Sequence, residues 1–284
     1  MEHSMLIKQL RLNRGMTQEM LSKGITKRTT LASFENSSTR ISYDTLVKYL
    51  DRMNITLEEY QFLLEDQTNS EKKKIATIYY KKMRQKFDEN VILMLNDAYN
   101  KSEEKYYLLL KAEYILVMNK KFDILQSEFE SSKLLISNYL DSIETWGRFE
   151  LSIFINTLFC YDDIFIWLHY KKSIKKMKGY NDNLYYSRDI LAFLINGVQL
   201  TYERHSSSLF NEFMKDLKRL SDELNNVEAD LVWKVFSFLT SNDIYNAMKK
   251  YELFLVLAFL DKHNYIEYIS NVLIENDFWT PEKA

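Results

Sequence analysis

The stretch KGITKRTTLASFENSSTRIS, Lys23 to Ser42, decides how the chain is read. It sets Thr26, Lys27, Arg28, Thr29, Thr30 and Ser33 ahead of Phe34, with one acid, Glu35, and few apolar residues. Gly24 breaks the segment before it, Ile25 plugs the turn, and Thr26 is placed to cap a helix running to about Asn36. On that helix Leu31 and Phe34 point inward and Thr30 lies at the edge, leaving Lys27, Arg28, Thr29 and Ser33 outside. Short hydroxyls and cations at a helix N-terminus suit the DNA major groove, where base edges and phosphates are both in reach. The free N–H groups of that terminus can also donate to a phosphate. The competing reading is a generic helical bundle with one incidentally polar helix.

Working outward, Leu6, Ile7 and Leu10 mark a first helix ending near Gly15. Thr17 caps a second, with Met20 and Leu21 as its inward face. Two helices around so short a turn, the second basic at its start, form a helix-turn-helix. Ser42 caps a fourth helix that buries Leu46, Val47 and Leu50. Thr56 opens a fifth, with Glu59 three residues on in a capping-box arrangement. The first domain is placed at 1–66.

Among 284 residues there are five Gly and one Pro, too few for the turns of a strand-rich fold. The fold class is therefore all-α, with long apolar-periodic segments joined by short polar loops. The net charge of −2 hides a gradient: residues 1–40 carry +4, 41–66 carry −4, 71–86 carry +6 and 87–284 carry −8. On charge alone, a polyanion-binding front end and ordinary solvated helix faces both fit. The lone Cys160 suits a reducing compartment, and the longest apolar run, Leu253 to Leu260, is far short of a membrane span of about 20 residues. A cytoplasmic location is expected.

The combination LIKQLRLNRGMTQEML…LASFENSSTRISYDTLVKYLDRMNITLEEY resembles the N-terminal domain of the Rgg/GadR/MutR regulators, peptide-sensing helix-turn-helix proteins of Gram-positive bacteria. The matching points are Leu10–Arg11, Thr17–Leu21, Leu31–Glu35, Ile41–Ser42 and Asn54–Tyr60. The chain departs from the pattern where Ser37 follows Asn36 in place of a common glycine; Asn36 can take the left-handed conformation of a helix exit. The resemblance implies that Arg11 and Arg14 grip phosphates, that Gln18 supports the turn or a phosphate, and that Lys27, Arg28, Thr29 and Ser33 face the groove. It gives Glu35 a structural role.

After a polar linker at 67–74, residues 75–284 read as a second domain of helices. Counting the basic helix that begins inside the linker, the segments are 71–87, 89–100, 103–119, 122–139, 142–160, 162–178, 184–205, 207–224, 226–240, 242–262 and 264–276. The basic 72–87 helix is read as solvated rather than bound to DNA. Antiparallel pairs at this spacing suggest a tetratricopeptide-like helical-repeat solenoid with a concave, ligand-holding groove. YLDSIETWGRFELSIFINTLF, Tyr139 to Phe159, is similar to a mid-chain segment of the same regulators. Within it Arg148, Ser152 and Asn156 share one helix face at i, i+4 and i+8, a cation and two hydrogen-bonding groups suited to a peptide. Asn196 and Gln199, with Asp189 and Glu203, form a second such face; ordinary solvent-facing polar positions are the alternative for each.

Four scattered His, no paired Cys spacing, no Gly-rich phosphate loop and no G-x-S-x-G exclude the usual metal, nucleotide and hydrolase signatures. No enzyme, metal or cofactor is expected, and Cys160 reads as a packing residue. The resemblance implies control of promoter binding by a short, secreted and re-imported hydrophobic signalling peptide, and a homodimer. The rival reading is a helix-turn-helix regulator without a peptide, whose repeat domain dimerises or contacts a protein such as RNA polymerase.

Overall fold

The computed structural model describes residues 2–37, 39–65, 71–174, 184–241 and 246–274, all-α throughout. The chain divides into two units, Met1–Arg84 and Gln85–Ala284.

In the first unit α1 (His3–Asn13), α2 (Gln18–Ser22), α3 (Arg28–Ser37), α4 (Tyr43–Arg52) and α5 (Leu57–Glu65) close on one core, and α6 (Glu71–Lys82) follows. Leu6, Ile7 and Leu10 of α1 meet Leu21, Leu31, Phe34, Tyr49, Leu50 and Tyr60 in that core. The expected caps form: Met20 N–H donates to Thr17 Oγ1 at 3.1 Å, Thr45 N–H to Ser42 Oγ at 3.2 Å and Glu59 N–H to Thr56 Oγ1 at 3.1 Å. Gly24 takes φ +72° between α2 and α3, a conformation that side chains resist.

Several local expectations are corrected. Helix α3 begins at Arg28, so Thr26 is not its cap; its hydroxyl shares a 2.5 Å hydrogen bond with Tyr49 Oη. Met20 is 52% exposed, because in the five-residue α2 the inward face is taken by Leu21 and Ser22. In α4 Tyr49 takes the inner place expected for Val47, which is exposed. Asn36 stays inside α3, where its Oδ1 accepts from Lys8 Nζ at 3.1 Å. Residues 67–70 of the expected linker lie outside the described residues, while 71–74 are the first turn of α6.

The second unit comprises α7 (Glu89–Ser102), α8 (Lys105–Phe122), α9 (Gln126–Ser142), α10 (Arg148–Thr157), α11 (Asp163–Lys172), α12 (Leu184–Glu203), α13 (Ser207–Leu224), α14 (Val227–Thr240), α15 (Ala247–Phe259) and α16 (His263–Ile274). Consecutive helices pack as α7 on α8, α8 on α9, α12 on α13, α13 on α14 and α15 on α16, while α8, α10, α12 and α14 touch in succession. This is the stacking of a helical-repeat solenoid. With so few glycines, the reversals use Glu103, Asp123, His205, Asn225 and Asp261 at positive φ between 49° and 57°. Gly197 serves a different need: a Cβ there would stand 2.8 Å from the Phe213 ring, so its absence lets α12 and α13 close up.

The helix expected over 142–160 starts only at Arg148, because the chain turns a corner first. Trp146 drops into the core at 3% exposure, donates Nε1–H to the Leu140 carbonyl at 3.2 Å and stacks on His169. Gly147 N–H donates to Glu150 Oε2 at 2.8 Å, and Tyr139 Oη holds the other oxygen of Glu150 at 2.5 Å. The mid-chain motif is thus first a folding corner. Of the segments expected at 162–178, 242–262 and 264–276, residues 175–178, 242–245 and 275–276 lie outside the described residues. No helix among the described residues is long and apolar enough to cross a membrane.

Candidate functional site

The outer side of α3 is organised from beneath by an ion pair. Arg11 of α1 donates from Nε and Nη2 to the two oxygens of Glu35, each at 2.7 Å, and from Nη1 to the Met16 carbonyl at 2.7 Å. The two side chains are only 6% and 0% exposed. Burial pushes the Glu35 carboxyl up, but hydrogen bonds from Arg11 and Gln18 and the Arg11 charge outweigh it and hold it below its ordinary value. Gln18 Nε2 donates to Glu35 Oε2 at 2.9 Å, and its Oε1 accepts from Arg28 Nη1 at 3.5 Å. A chain of polar contacts therefore runs from the core to Arg28 at the surface.

Arg11, expected on a phosphate, is instead interior, with all three guanidinium nitrogens hydrogen-bonded within the unit. Glu35 has the structural role expected of it. Arg14 is exposed, yet its Nε donates to the Met53 carbonyl at 2.6 Å, tying the end of α1 to the end of α4. Lys27, Thr29 and Ser33 are exposed and make no side-chain hydrogen bond among the described residues. Arg52 was not anticipated. It reaches back from α4 to the carbonyls of Leu21, at 3.1 Å, and Lys23, closing the open end of α2.

In the second unit the ends of α8, α10 and α12 line an open cleft of about 380 Å³. Val117, Lys120 and Lys121 come from α8, Ile155 and Asn156 from α10, Leu158 and Phe159 from the turn after it, and Asn196, Gln199, Leu200 and Glu203 from α12. Three of the five residues expected to hold a ligand, Asn156, Asn196 and Gln199, thus meet at one place. Asn156 donates to Glu113 Oε1 at 2.6 Å, and Gln199 to Glu203 Oε1 at 2.9 Å. Glu113 is 1% exposed and went unnoticed in the sequence, where a single acid on an apolar helix carries no signal.

Arg148 and Ser152 do not line this cleft. Arg148 sits at the opposite end of α10, with Nε 2.7 Å from Asp189 Oδ2 of α12. Cys160 closes the turn after α10, half-buried against the core, and burial pushes its thiol up to about 12, against the nearby Lys133 and Lys120 charges.

The first unit has the fold of a helix-turn-helix DNA-binding domain, and the second is a stack of helix pairs. A helix-turn-helix family model matches residues 7–60, and the model of the HTH-type transcriptional regulator Rgg C-terminal domain matches 63–271. The chain belongs to the Rgg family of transcriptional regulators. Its fold is similar to that of a Listeria monocytogenes EGD-e protein assigned to the transcriptional regulators, at TM-score 0.75 and 17% identity over 98% of each chain. It is similar to the Streptococcus dysgalactiae SHP pheromone receptor Rgg2, at TM-score 0.75 and 15% identity over 94% of this chain and 99% of that one. PrgX matches at TM-score 0.70 and 16% identity over 99% and 96%.

Proposed function

We propose that this regulator is a cytoplasmic, sequence-specific DNA-binding homodimer switched by a short hydrophobic signalling peptide held in the cleft of α8, α10 and α12. The observation that carries the reading is the cleft itself. Asn156, Asn196 and Gln199 offer amides to a peptide backbone beside the apolar Val117, Ile155, Leu158 and Leu200. The similar folds lend support, since one belongs to a pheromone receptor and PrgX is known as a complex with cCF10. On the DNA side Arg28, Thr29 and Ser33 read the groove, while Lys27 and Arg14 meet phosphates. Two such heads about one turn of duplex apart give the affinity that one head lacks. Peptide changes promoter binding by favouring one arrangement of the heads, which requires different affinities for the competent and incompetent states.

Calorimetry of the full chain with the peptide encoded beside its gene tests this. Binding that is lost in Asn156→Ala and Asn196→Ala supports the reading. A promoter footprint and normal regulation with no peptide binding overturn it, and leave the second unit to dimerisation or to contact with RNA polymerase.

A further inference from the structure

The cleft is not electrically uniform. Lys120 Nζ stands 4.5 Å from the centre of the Phe159 ring, on the α8 wall, and makes no ion pair among the described residues. Lys121 is beside it on the same wall. The α12 wall carries the opposite sign: Glu203, held by Gln199, faces the same space. Basic residues often end a helix simply to offset its dipole. Lys120 does more than that, because its ammonium is drawn over an aromatic ring that itself lines the cleft. A cation on such a ring is positioned in advance without losing its charge.

We propose that Lys120 is the anchor for a carboxylate of the bound peptide, so that the site selects ligands carrying a free C-terminus or an acidic side chain at one end. This deepens the peptide reading and rests on it. Glu203 repels a carboxylate from the α12 wall, which fixes the direction in which the peptide crosses α10. Successive helices lie about 9 Å apart, so α8 to α12 spans about 18 Å. An extended chain rises about 3.3 Å per residue, and five or six residues fill the distance.

The test uses the full chain and fluorescein-labelled apolar heptapeptides from a positional library, made both as free acids and as C-terminal amides. Affinity is read by anisotropy. Amidation of the best binder is expected to weaken it about tenfold in the wild-type chain and hardly at all in Lys120→Gln. Lys120→Arg restores the preference. Should amidation be harmless while Asp or Glu exchanged for its amide in the peptide gives the same Lys120-dependent loss, the carboxylate is an acidic side chain. An acid-to-amide ratio and an acidic-residue effect both unchanged in Lys120→Gln overturn the proposal while the peptide reading stands. If no library member binds the wild-type chain, both fall together.

Discussion

Arg11 and Arg148 each place Nε 2.7 Å from a carboxylate oxygen, yet the two pairs do opposite kinds of work. Arg11–Glu35 is sealed in the helix-turn-helix unit, while Arg148–Asp189 is 53% and 25% exposed on the repeat unit. Distance does not rank them; water does. In the buried pair neither charge can turn to solvent if the other is removed, so each depends on its partner. In the exposed pair, water screens the attraction and replaces a lost partner, so the contact adds little. The buried pair also sends a contact outward, through Gln18 to Arg28.

The largest expected effect follows from breaking the buried pair. Glu35→Ala leaves the Arg11 charge uncompensated and should cost the first unit about 3–5 kcal/mol. Calorimetry should show its unfolding transition shifting down while that of the repeat unit stays. A loss similar to that of an exposed pair would erase the contrast.

Acid should separate the units next. Glu35 is held below its ordinary value of 4.5, so its contribution is complete above 4.5 and lost as pH falls through the folded value. His169 is also lowered, chiefly by burial and despite the Asp141 carboxylate. Its contribution is complete above 6.5 and declines as pH drops below that, since the unfolded chain takes the proton more readily. All four Trp (146, 167, 233 and 279) belong to the second unit, so tryptophan fluorescence reports that unit alone. Its denaturant midpoint should begin to fall as the pH drops below 6.5, and a midpoint that stays flat there would show that His169 does not set the acid sensitivity of this unit.

A smaller effect is expected at the surface end of the polar chain. Arg28→Ala should weaken operator binding by about 1–3 kcal/mol at fixed salt if the side chain reads a base, with the melting temperature nearly unchanged. An equal loss on every DNA sequence would make it a phosphate contact. The smallest effect belongs to Arg148→Ala, at most about 1 kcal/mol in denaturant unfolding. A loss of several kcal/mol there would make the exposed pair the equal of the buried one.

Much of this architecture is legible in the residues. The caps at Thr17, Ser42 and Thr56 are local, each set by a hydroxyl three residues before the N–H it accepts. Most segments of the second unit fall near their expected places for the same reason, since apolar periodicity is a property of a short stretch. The corner before α10 is not local. It depends on Trp146 finding Leu140 and His169, and on Glu150 turning back to Gly147 under the hold of Tyr139. The cleft was half legible: Asn156, Asn196 and Gln199 show as polar positions on apolar helices, whereas Lys120 looks like any lysine near a helix end.

The amino-acid sequence by itself determined that this chain is helical, that α2 and α3 make a helix-turn-helix, and that Lys27, Arg28, Thr29 and Ser33 lie on its outer side. Tertiary structure alone decided that Arg11 is interior, that Arg148 and Asn156 on one face of α10 serve different places, and that Lys120 enters a cleft. The reason is physical: periodicity assigns a side chain to a face, but what that face meets depends on segments tens of residues away, and on whether water is left between them.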